Sequence, residues 1–127
     1  QEPITVHGDG CQSRCFCHVL DVVDALLRLL DHPDAVGGTF NIGRADEITI
    51  MDLARLILER THSSSPITLV PYAEAYESGF EDMFRRVPDT TRLSRLTGWA
   101  PTRTLDEILA ETIAEARRER DPLRSGV

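Results

Sequence analysis

Two glycines, an amide and a guanidinium fall within one short stretch near the start of the chain: Gly8-Asp9-Gly10, then Gln12 and, two residues on, Arg14. Glycines accept the positive φ of a tight turn, and an arginine beside such a turn can fork two N–H bonds onto a phosphate. Phe16, His18, Val19 and Asp21 follow at once, so the run reads as a ligand loop passing into a strand. That chemistry suits an anionic small molecule.

Other groups with reactive potential are less well arranged. Cys11, Cys15 and Cys17, with His7 and His18 nearby, hold enough N and S donors for zinc, but no Cys-x-x-Cys pair exists. Strand alternation would set Cys15 and Cys17 on one face and His18 on the other. They are expected to be free thiols of a reducing compartment, with no metal. All 14 cationic residues are Arg, and the absence of Lys rules out a Walker phosphate loop and a Schiff-base lysine. A net charge of -7 argues against a nucleic-acid partner, which rewards an excess of cations.

The elements that must position these residues alternate between strand and helix. At 127 residues, 41% hydrophobic and 28% charged, the chain has the size and balance of one soluble domain, taken as residues 1–120 with a disordered tail at 121–127. Asp21, Asp24 and Arg28 interrupt its longest apolar stretch, so no membrane span is expected. The start lacks the order of a signal peptide, which makes a cytoplasmic location the default, and Gln1 reads as a cut into a longer chain.

Strands are expected at residues 4–7, 15–19, 39–42 and 67–70. Asp21 is read as the N-cap of a helix carrying Val22, Val23, Leu26, Leu27 and Leu30. Thr49 with Asp52, and Thr104 with Glu107, open two further helices. A short helix from Asp89 ends at Gly98, and residues 71–82 are expected to be an irregular loop. Trp99 and Phe40, each beside a turn glycine, are read as packing residues.

The opening run resembles a segment in the C-terminal half of the extended short-chain dehydrogenase/reductases, the nucleotide-sugar epimerases, dehydratases and decarboxylases. The likeness continues through Phe40-Asn41-Ile42-Gly43, then Arg86, Pro88 and Asp89, then Leu96, Gly98, Trp99 and Pro101, in the family's order over residues 3–118. It implies a mixed α/β fold, the C-terminal part of a Rossmann-type enzyme.

By the same resemblance, Arg14 and Arg86 hold the diphosphate of a UDP- or dTDP-sugar, with Gln12 in the same substrate-binding group. Arg85, adjacent to Arg86, would face solvent or pair with Glu81 or Asp82; Arg103 and Arg124 should matter little to the ligand. The family's NAD loop and Tyr-x-x-x-Lys pair are absent, since neither Tyr72 nor Tyr76 has a Lys four residues on. NAD and catalysis therefore belong to an N-terminal Rossmann part outside this chain, which alone should be inert and prone to self-association. Cys15 stands where many epimerases carry an acidic residue, leaving epimerisation, dehydration and decarboxylation all open. The alternative is a non-enzymatic ligand-sensing or interaction module on the same scaffold.

Overall fold

A computed structural model describes residues 2–72 and 83–120. These residues form two compact units of mixed α/β structure.

The first unit comprises residues 1–16 and 45–88. Strand β1, Ile4–His7, pairs in parallel with β4, Ile67–Val70, with Ile4 opposite Ile67 and His7 opposite Val70. Strand β2, Ser13–Cys15, pairs antiparallel with β3, Glu47–Thr49. Helix α2, Ile50–Thr61, follows β3 directly and is capped by Thr49, whose hydroxyl accepts from Asp52 N. Such a cap stabilises a helix by about 1 kcal/mol.

The turn between β1 and β2 depends on its glycines. Gly8 and Gly10 have φ of 74° and 75°, and a side chain at Gly8 would collide with the Tyr72 ring. A β-carbon at Gly10 would come within 3.0 Å of Val6 and Met51 side chains. The close approach lets Gly10 O and Gln12 O accept from Met51 N and Ile50 N, so the start of α2 is tied to the loop.

Among the described residues, the second unit comprises residues 17–44 and 89–120. Helix α1, Val19–Asp31, starts before Asp21, because the N-cap is His18: its Nδ1 accepts from Leu20 N at 3.1 Å. The 3₁₀ turn Pro33–Ala35, helix α3, Thr91–Thr97, and helix α4, Leu105–Arg120, complete the unit. Ala25, Leu93 and Trp99 form its core, with Cys17, Leu29, Phe40 and Ile42 packed around them. Trp99 is 1% exposed and its indole N–H donates to Asp21 O, which fits the packing role expected of it. Losing such a side chain costs about 3–5 kcal/mol.

The strands at 4–7 and 67–70, the Thr49 and Thr104 caps and the Gly98 helix end follow the sequence expectations. Besides the Asp21 cap, two strand assignments need correction. Residues 39–42 have β-type composition but are not a strand, and the second strand is Ser13–Cys15 rather than 15–19. The loop expected at 71–82 lies almost wholly outside the described residues, as do the tail at 121–127 and the proposed Arg85 partners Glu81 and Asp82. No helix among the described residues is long and apolar enough to cross a membrane.

Candidate functional site

The turn glycines bring Gln12 and Arg14 to one cavity in the first unit, about 250 Å³, lined also by Thr5, Val6, His7, Ile50 and Tyr72. Arg14 is fixed by two carbonyls: its Nη1 donates to Ser13 O at 2.7 Å and to Met83 O at 2.8 Å. These contacts orient the guanidinium.

Gln12 is 6% exposed. Its Nε2 donates to His7 O at 2.9 Å, which fixes which end of the amide is nitrogen. Oε1 is then a buried acceptor with no partner among the described residues. Leaving such an atom unpaired costs about 1–3 kcal/mol.

Arg86 does not line this cavity; its chain neighbour Arg85 is bridged to Ser13, the residue before Arg14. Ser13 forms a parallel bridge with Arg85, and Ser13 N donates to Phe84 O at 2.9 Å. Side chains alternate along extended backbone, so Arg14 and Arg86, each one step beyond the bridged pair, would both turn away from the Ser13–Arg85 face wherever the two segments stay extended. The other face belongs to Ser13, Arg85 and Glu47. Arg85 grips Glu47 through Nε at 3.0 Å and Nη2 at 2.5 Å, and Ser13 Oγ donates to the same carboxylate at 2.7 Å. The Arg85 guanidinium and then the Ser13 hydroxyl hold the Glu47 carboxyl below its ordinary value. Arg85 is thus paired as expected, but with Glu47, 38 residues away in sequence.

In the second unit Asp21 is a buried anchor, not a cap. It is 3% exposed and accepts from Thr102 N, Thr102 Oγ1, Arg103 N and Arg103 Nη1 at 2.7–3.1 Å. Burial alone would raise its pKa, but the bonds from Arg103 and Thr102 outweigh it and hold the carboxyl below its ordinary value. A larger open cavity of about 550 Å³ lies in this unit between Asp34, Phe40, Asp89, Arg92 and Arg95. Its lining holds two cations and two carboxylates, and Arg92 stacks on Phe40 at 4.8 Å and donates to Thr39 O.

The three cysteines are free thiols. Burial, then the Glu47 charge, pushes Cys15 up; burial, then Asp21, pushes Cys17 up; and the Asp9 carboxylate raises Cys11. None is a ready thiolate. Among the described residues no cluster of three or more His, Cys, Asp or Glu could hold a metal.

A family model, the NAD dependent epimerase/dehydratase family, matches residues 1–43. UDP-N-acetyl-alpha-D-glucosaminuronate decarboxylase of Bacillus cytotoxicus is 39% identical over 112 residues, which is 88% of this chain and 35% of that protein. UDP-glucose 4-epimerase of Thermotoga maritima, solved with UDP-glucose, superposes with a TM-score of 0.80 at 29% identity, over 93% of this chain and 36% of that one. RMD of Pseudomonas aeruginosa, solved with NADPH, gives a TM-score of 0.70 at 29% identity, over 84% and 33%. The chain belongs to the NAD-dependent epimerase/dehydratase family of extended short-chain dehydrogenase/reductases, and spans about a third of the length of these relatives.

Proposed function

We propose that this chain is the substrate-binding portion of an NAD-dependent nucleotide-sugar enzyme, in which Arg14 and Arg86 hold the diphosphate of a UDP- or dTDP-sugar beside Gln12. The observation that supports the reading is that Arg14 lines one cavity with the buried Gln12, while the Ser13–Arg85 bridge brings the Arg85-Arg86 segment beside the strand that carries Arg14. A diphosphate offers each of two guanidinium groups a forked pair of acceptors. The cavity volume agrees with a partial site: about 250 Å³ falls below the roughly 300–1,000 Å³ of a complete small-molecule site. The rest of the nucleotide-sugar would lie against the remainder of a longer protein.

The start of α2 does not fit NAD. A dinucleotide sits on free amides at a helix N-terminus, whereas Ile50 N and Met51 N at the start of α2 already donate to loop carbonyls. The family's cofactor is therefore assigned to an N-terminal Rossmann part outside this chain, along with the catalytic pair. Anchoring the remote diphosphate is a proximity contribution, since it holds the sugar where the reaction occurs.

Helix α1 supports a missing partner. Asp21, Ala25 and Leu29 face the second unit's core, yet Val19, Leu20, Val23, Leu26, Leu27 and Leu30 are exposed, Leu30 by 80%. A helix apolar on both sides is a buried helix. We assign the outer stripe to the N-terminal Rossmann part, because the relatives run to about three times this length. Calorimetric titration of the chain with UDP-glucuronic acid, before and after Arg14→Ala, tests the diphosphate site.

A further inference from the structure

We propose that Gln12 makes the site selective for a sugar hydroxyl carried next to the anion, with Oε1 as its acceptor; this rests on the diphosphate reading above. Gln12 cannot easily turn its acceptor elsewhere. Its Nε2 is held by His7 O at 2.9 Å, and its own carbonyl is held by Ile50 N at 3.0 Å. Thr5, His7 and Tyr72 line the same cavity, but none satisfies Oε1.

An unpaired acceptor in a fixed frame, beside an arginine that takes the phosphate, calls for a ligand with an O–H donor. Sites built this way reject analogues that lack the group, because the protein atom is then left unpaired. Inorganic pyrophosphate offers the anion and no sugar hydroxyl. UDP adds the ribose hydroxyls, and UDP-glucuronic acid adds those of the second sugar as well.

The test is NMR titration of the intact chain with these three ligands, for the wild type, Gln12→Met and Arg14→Ala. Wild type should bind at least one of the two nucleotides tenfold or more tighter than pyrophosphate, and the Gln12 side-chain amide resonances should move with that nucleotide only. A shift with UDP identifies the ribose hydroxyls, and a shift with UDP-glucuronic acid alone identifies the second sugar. Gln12→Met should erase the preference and leave pyrophosphate binding within twofold. Arg14→Ala should weaken all three.

If Gln12→Met weakens all three ligands equally or none, or the wild-type amide stays still, the Gln12 proposal falls while the Arg14 site stands. If Arg14→Ala changes nothing, or no ligand binds at millimolar concentration, both fall. The amide shift is read on unmodified protein, so a misfolded variant does not obscure the result.

Discussion

Ser13 and Arg85 are partners across a parallel bridge, and this single pairing sorts the two adjacent arginines into different roles. Arg85 shares Glu47 with Ser13 and is thereby occupied, which leaves Arg86 as the arginine assigned to the ligand in the proposed function. Arg86→Ala in the full-length enzyme should therefore weaken UDP-sugar binding by about 1.5–3 kcal/mol, the range of a charge-assisted bond. Arg85→Ala should cost much less affinity. Isothermal titration of both variants separates them, and equal losses would argue against the sorting.

Asp21 should be the most sensitive carboxylate in the chain. Asp21→Ala removes the shared partner of Thr102 and Arg103 and should destabilise the fold by roughly 1–3 kcal/mol, the cost of leaving part-buried donors unsatisfied. Urea unfolding followed by circular dichroism measures this. Arg103, which sequence alone marks as unimportant to the ligand, should lower stability when changed to Ala through the same contact.

The same carboxylate fixes an acid limit. Its folded pKa is depressed below the ordinary value of 3.8, so its contribution is fully present above that value and is lost as pH falls through the folded pKa. Wild type should lose stability on acidification below about pH 4 more steeply than Asp21→Asn. Parallel slopes in the two proteins would show that other carboxylates dominate.

Local signals in the sequence were legible where the interaction is local. Thr49 accepting from Asp52 N, Thr104 reciprocally bonded to Glu107, and Gly98 in the left-handed region at the end of α3 all involve residues close in sequence. What stayed hidden depends on distant partners. Asp21 looks like a cap until Thr102, 81 residues away, takes its carboxylate, and His18 does the capping instead. Residues 39–42 have the composition of a strand, but a strand needs a neighbour to pair with. Glu47 gave no sign of meeting Arg85, and the orphan acceptor of Gln12 becomes visible only when His7 O is seen to take the amide nitrogen.

Taken alone, the chain should self-associate. The stripe from Val19 to Leu30 presents several large apolar side chains to water, enough to outweigh the repulsion of a net charge of -7. Sedimentation across a concentration series should show growing mass, and the double change Leu26→Ser, Leu30→Ser should reduce it without loss of fold, since both residues are exposed. A wild-type monomer at every concentration would remove α1 as an association face.

The most direct measurement is calorimetric titration of the isolated chain with UDP-glucuronic acid and, separately, with NAD, for wild type and Arg14→Ala. The expected result is saturable nucleotide-sugar binding that Arg14→Ala weakens by about 1.5–3 kcal/mol, with no binding of NAD at micromolar concentrations. Saturable binding of NAD, or a nucleotide-sugar affinity indifferent to Arg14, would contradict a substrate-binding portion that anchors a diphosphate and leaves the cofactor to another part of the protein.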